Sequence, residues 1–545
     1  MSKSAVLLLM AVLASPLLAQ QQLPPSGETI DVSLVNVDVF VTDRKGQRVT
    51  GLTADDFEIR ENDRIQPITN FAEYTNKATA TATAPPNAKR TVVVFVERFT
   101  LPSFRTRPLF ASIRKTLRSV IRPGDSAAIV FWDYGSAYTL QNFTDDIPSL
   151  EAALTEIERQ SSGVAGAAAL SRRRAFARAF QGSMPSDRIE TRNDSGSIDS
   201  WGAHAEAQFA LFHFEHKVEE LKALMRSIAD VDGRKIVIFA TNDFGLYPAG
   251  SVDGHAPENN LRTDRYRDAI ARTANEHGIT IYPVYPVGLE WTPAASAVEN
   301  RVDIYSPNPR QDAYRAARDQ QALVNQTAAL AELAKETGGL MAAGSSDIVS
   351  LLPRVVEDLH SYYSLAYRTP ATGTTRSRDI AVKAKNREYT VRTRREYVEK
   401  TDVTRMQDRV VANLYRPDGG GSIPVYVGLG KIEKLSRTRW SVPVLVNLPL
   451  DALSIGPDGR GSFSVFIATG GMIGIMSDVQ QRTQHFSKAD LSPGQQHVTY
   501  ELTLTFNAAT SVVSVGVMDA GSKDFGLKTV DLPLFRAEET RLGGE

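Results

Sequence analysis

Four short apolar and β-branched runs recur through the middle of the chain: Thr91–Val96, Ala127–Trp132, Lys235–Thr241 and Ile279–Tyr285. A run without alternation suits a strand buried on both faces, as in a parallel sheet with helices above and below. A helical pattern follows the first run from about Ser103 to Ile121, and helical patterns separate most of the others. Strands alternating with helices predict a doubly wound α/β domain. In such sheets ligands sit outside the carboxyl ends of the strands. Glu97, Asp133 and Asp243 are therefore the acids of interest.

The flanks carry a different pattern. Residues 26–75 read as a small N-terminal β unit. Ile30–Val41 alternates apolar and polar with one change of phase at Leu34-Val35, which suggests a bulge. Phe57–Asp63 gives another strand and turn. Residues 76–88, with the low-complexity stretch Ala78–Pro86, form a linker unable to make a core. The α/β domain is expected over 89–368, with a helical insertion at about 161–230, since one crossover needs far fewer residues than separate the second strand from Lys235. Within the insertion, Ala203–Ile228 looks helical, Gln181–Ser200 looks like a loop, and Arg172-Arg173-Arg174 reads as a solvated helix face. Asp312–Thr337 and Asp347–Tyr363 are predicted helices. Residues 369–400 alternate like a β meander. Residues 401–540 show short strands between Gly, Pro and Asp turns, which predicts a separate antiparallel β-sandwich, with one helix near Thr404–Tyr415. The boundary near Lys400 is expected to be an exposed linker.

Composition narrows the function classes. A net charge of −1 over 545 residues gives no electrostatic case for nucleic acid or an acidic membrane. The absence of cysteine removes disulfides, thiolate nucleophiles and Cys-ligated metals. Residues 1–19 follow the three-part plan of a secretory signal peptide: Lys3, the apolar stretch Ala5–Ala14, then Pro16 and a small residue before Gln20. No later stretch reaches the roughly 18 apolar residues of a membrane span. The expectation is an exported protein, periplasmic or secreted.

Catalytic motifs are missing. There is no His-Glu-x-x-His and no Gly-x-Ser-x-Gly, and Gly163-Val164-Ala165-Gly166 lacks the Gly-Lys-Ser/Thr of a phosphate loop. His213 and His216 stand at i and i+3 with Glu219 and Glu220 nearby. That spacing allows a zinc pair, but it is more often a solvated helix face. Two readings result. One is a non-catalytic exported interaction protein; the alternative is a metal-dependent hydrolase built around His213 and His216.

The chain resembles the bacterial VWFA-related domain proteins, described especially from acidobacteria. The matching text runs in order over roughly residues 28–400: Leu34–Val41, Gly51–Phe57, Arg122–Asp125, Asn142–Asp146, Gly233-Arg234-Lys235, Ala274–Val284, Ala334–Gly339 and Tyr362–Tyr367. The resemblance implies a Rossmann-like domain of the von Willebrand factor A type. Such domains usually bind a protein ligand through a divalent metal at the carboxyl edge of the sheet. Their first loop supplies Asp-x-Ser-x-Ser, a second supplies a threonine, and an aspartate follows the fourth strand. Here the aspartate position is Glu97, the serine positions are Phe99 and Leu101, and the threonine position falls near Val164. Only Asp243 remains, with Thr241 and Asn242 beside it. Magnesium needs oxygen ligands in near-octahedral array, so Glu97 and Asp243 form a degenerate site. The expected cofactor is none, with Mg²⁺ the alternative, and the expected partner is a protein or an envelope-surface ligand.

Overall fold

The computed structural model describes residues 32–75, 89–97, 103–161 apart from 134–135, 214–244 apart from 232 and 242–243, 263–286, 327–342, 352–415, and 420–532 apart from 438, 472–475 and 508–509. The expected signal segment 1–19, the linker 76–88 and most of the insertion lie outside them.

From the N-terminus, β1 (Val32–Thr42), β2 (Phe57–Glu61), β3 (Arg64–Gln66) and β4 (Ile68–Tyr74) precede the α/β unit. That unit contains β5 (Arg90–Glu97), α1 (Ser103–Val120), β6 (Ser126–Asp133), β7 (Ser136–Thr144), α2 (Ile147–Ser161), helix α3 at 214–227, β8 (Arg234–Ala240), α4 (Thr263–Glu276), β9 (Ile279–Val284), helix α5 at 327–336 and α6 (Pro353–His360). The sheet order is β7-β6-β5-β8-β9. All pairs are parallel except β6 with β7. Counted along the chain, this is order 3-2-1-4-5, and the direction of winding reverses between β5 and β8.

The unbroken apolar runs exist because both faces of this sheet are covered. Val92, Val94 and Val96 pack with Leu109, Leu154 and Leu359 on one side. Val93 and Phe95 pack with Leu221, Ile270 and Leu330 on the other. The Arg122–Asp125 stretch anchors the lower edge: Asp125 accepts from the Arg90 backbone N–H at 2.9 Å and from Arg90 Nη2 at 2.6 Å. At the end of α5, Gly338 takes φ +79 and Gly339 lies against β9, where a Cβ would stand 1.9 Å from the Ile281 carbonyl oxygen. Only glycine fits that approach.

The flanking β segments correct the sequence reading. After α6 come β10 (Tyr362–Pro370), β11 (Arg376–Ala384), β12 (Thr390–Arg392) and β13 (Glu396–Glu399). They share sheets with the N-terminal strands, in the orders β12-β1-β10-β4 and β13-β11-β2-β3. The stretch read as an N-terminal unit and the stretch read as a meander thus build one two-sheet sandwich around Val35, Val37, Val39, Ile59, Leu365 and Tyr367. No bulge sits at Leu34-Val35. Pairing of β1 with β10 is continuous from Val32 to Val39, and the register shift falls between Ala366 and Tyr367, where β10 meets β4. Leu34 is simply exposed. The helix expected to reach Tyr363 ends at His360, because Tyr362 and Tyr363 are already in β10.

The C-terminal part is α7 (Asp402–Tyr415) and strands β14 (Gly420–Gly421), β15 (Tyr426–Leu429), β16 (Glu433–Lys434), β17 (Arg439–Pro449), β18 (Arg460–Gly471), β19 (Gln480–Ser487), β20 (His497–Asn507), β21 (Thr510–Asp519) and β22 (Phe525–Asp531). Two antiparallel sheets, β14-β22-β21-β18-β19 and one built on β17, enclose Val444, Val446, Val465, Ile467, Val513 and Val515. Helix α7 covers the outer side of the first, with Met406, Val410 and Leu414 against Phe466 and Met518. Of the 22 strands among the described residues, five belong to the α/β sheet, so the protein is richer in antiparallel sheet than the doubly wound label alone conveys.

Candidate functional site at the carboxyl edge of the sheet

Glu97 is the last residue of β5, and Thr241 follows β8 directly. The two strands are neighbours at the point where winding reverses, so their ends flank the crevice. Both side chains are buried, and Thr241 Oγ1 donates to Glu97 Oε2. The backbone N–H of Thr241 donates to the Val284 carbonyl at 3.1 Å, which fixes the start of the loop against β9.

The third member comes from α3. Lys217 is 2% exposed, and its Nζ donates to Glu97 Oε2 at 3.0 Å. Its ammonium also stands 5.7 Å from the ring centroid of Trp132, near the end of β6, and 5.5 Å from that of Phe214. Carboxylate below and aromatic faces beside it make a cage suited to a cation. The cation the sequence provides is its own.

Fit of a divalent ion can be tested on this geometry. The one carboxylate of the expected set that lies among the described residues is already neutralised by a buried ammonium. A divalent ion brought within about 4 Å of that ammonium meets a repulsion of several kcal/mol. Among the described residues no group of three or more His, Asp or Glu could hold a metal. Among the described residues at this edge, the Glu97 carboxylate is committed to Lys217 and Thr241.

The other expected site residues are distributed as follows. Asp243, Phe99, Leu101, Val164 and His213 lie outside the described residues, as does the Asp133 side chain. His216 is exposed on α3. Of the acids near it, Glu219 pairs with Lys222 at 2.8 Å, while Glu220 is buried. Burial pushes the Glu220 carboxyl up to about 8, and its Oε2 has no hydrogen-bond partner among the described residues.

Sequence reasoning did not find Lys217, which lies 120 residues from Glu97. A signal was available. Phe214, Val218, Leu221, Leu224, Met225 and Ile228 form the buried stripe of this helix and its end, and Lys217 occupies a stripe position. A lysine on an apolar stripe demands a buried partner.

No family model and no curated relative matches the sequence. Solved structures similar to the chain include an aerotolerance-related membrane protein from Bacteroides fragilis, 11% identical, with 50% of this chain and 98% of that one covered and a TM-score of 0.23. Another is the pilus adhesin SpaC from Lactobacillus rhamnosus GG, 8% identical, covering 88% and 56%, with a TM-score of 0.28. A third is the vWF domain of the type V pili tip protein Mfa5 from Porphyromonas gingivalis, 14% identical, covering 34% and 51%, with a TM-score of 0.16. The chain spans little more than half the length of the solved SpaC chain and of the solved Mfa5 vWF domain. Among the described residues no helix is long and apolar enough to cross a membrane.

Proposed function

We propose that this chain is an exported, non-catalytic protein whose von Willebrand factor A-like domain binds another protein or an envelope-surface ligand without a metal ion. Strand order 3-2-1-4-5 with an antiparallel third strand supports the domain type. The observation that carries the metal-free reading is the buried pair of Glu97 and Lys217 at the winding-reversal point. There the ammonium supplies the positive charge that a divalent ion supplies in a metal-binding A domain. It is tethered and permanent, so ligand binding by this edge is independent of cation supply.

Isothermal titration of the full chain with Mg²⁺, Mn²⁺ and Ca²⁺ is expected to give no site tighter than about millimolar. A micromolar site abolished by Asp243→Ala would overturn the metal-free reading. Crosslinking and pull-down from the native envelope fraction is expected to recover the same partner with and without a chelator; recovery that needs divalent ions would defeat it independently.

A further inference from the structure

At the opposite edge of the α/β sheet a cavity of about 300 Å³ lies between that domain and the N-terminal sandwich. From the sandwich side it is lined by Asn36, Asp38, Tyr362, Ser364 and Arg394; Arg234 and Thr280 line it from the lower ends of β8 and β9. The alternation of β1 explains the division. Val35, Val37 and Val39 face the sandwich interior, which leaves Asn36 and Asp38 on the face turned to the α/β domain.

The charges around the cavity do not balance. Arg234 is buried, and its Nε lies 3.1 Å from Asp38 Oδ2. Its other nitrogens are held by the Asp358 carbonyl and the Tyr282 hydroxyl, each at 3.0 Å. Nearby, Arg48 and Arg392 both pair with Asp358. Arg394 has no carboxylate of its own among the described residues. Its Nη2 donates to the Asn36 carbonyl at 2.5 Å, while its Nε is buried with no hydrogen-bond partner there. A Cβ at Gly278 would come within 3.3 Å of Nη1, so the glycine makes room for the guanidinium. Four arginines thus face two aspartates, and the surplus borders a polar cavity.

We propose that this cavity is a binding site for a compact oxyanion, a carboxylate or phosphate group, held by Arg394 with Arg234 behind it and the Ser364 and Thr280 hydroxyls at its wall. A guanidinium presents its donors in a fork that matches such groups, and a cavity of this size admits a small ligand. Burial raises the Asp38 carboxyl and depresses the Arg394 guanidinium. The first direction lessens repulsion of an anion, and an anion would reverse the second. Because both domains line the site, the ligand ties them together.

The test is isothermal titration of the full chain with inorganic phosphate and, separately, with acetate. One saturable site is expected for at least one anion, and the tighter of the two identifies phosphate or carboxylate as the source. Arg394→Gln should weaken it at least tenfold. Ser364→Leu, which fills the cavity without touching a charge, should abolish it. Arg482→Gln removes the same charge from an exposed position of β19 and should leave it intact. No binding of either anion by the native chain would overturn the proposal. So would equal weakening by Arg394→Gln and Arg482→Gln. Thermal unfolding checks that each variant folds, and if Arg394→Gln does not, Ser364→Leu alone decides. None of these outcomes depends on the metal question, which concerns the other edge.

Discussion

Lys217 and Glu220 sit one helical turn apart on α3, both buried, with opposite solutions to burial. Lys217 is compensated by a carboxylate. Glu220 is compensated by a proton, since desolvation pushes it up to about 8 from an ordinary 4.5. Between those two values the folded state holds a proton that the unfolded chain has released, so stability falls as pH rises from 4.5 to 8. Glu220→Gln keeps the shape without the titration. Its thermal midpoint should match the native protein near pH 4.5 and exceed it at pH 8, a difference that scanning calorimetry reads directly. Equal midpoints at both values would show that Glu220 is solvated. Neither behaviour can be read from the residue itself. Lysine and glutamate on a helix are ordinarily surface residues, and only the stripe position of Lys217 hints otherwise.

At the scale of elements, the Glu97–Lys217 pair joins β5 to α3, and Thr241 adds the end of β8. Truncating one partner leaves the other charge buried and uncompensated, which costs about 3–5 kcal/mol. Lys217→Met should lose that much stability in urea unfolding. Adding Glu97→Gln should recover most of it, because the double variant buries no net charge. Additive losses would show that the two side chains do not depend on each other. The same scale explains why strand positions were legible and strand partners were not. The run Thr91–Val96 announces a strand buried on both faces, and it lies within β5. Nothing in Val32–Thr42 announces that its partner, β10, begins at Tyr362. Antiparallel pairing between distant segments is a long-range choice of partner, and local pattern does not carry that.

For the whole molecule, the junction at Lys400 is packed. Lys400, expected in an exposed linker, has its Nζ 2.6 Å from His277 Nδ1 and 2.5 Å from Asp408 Oδ2, and Arg409 pairs with Asp230 at 2.8 Å. The site joins the end of α4 to the start of α7. Trypsin under native conditions should therefore spare the Lys400 bond, while Asp408→Ala with Asp230→Ala, which removes the acidic partners and keeps the tryptic site, should expose the Lys400–Thr401 bond to cleavage. Early native cleavage after Lys400 would show the junction to be open. Likewise a fragment of residues 89–368 cuts β10 two residues short and lacks β1 and β4, the strands that flank it.

The sequence alone determined the central sheet and the antiparallel character of the C-terminal part, because burial on two faces and on one face leave different periods in the chain. It also shows that Phe99, Leu101 and Val164 carry no side-chain oxygen, since side-chain chemistry needs no coordinates. Tertiary structure decided the rest. It brought Lys217 onto Glu97 across 120 residues, placed Arg394 beside Arg234, and merged two distant β segments into one sandwich. Each of these is a contact between residues far apart in the chain. Such contacts arise from closing the chain upon itself, and a local pattern of hydrophobic and polar positions records which face is buried but not what it is buried against.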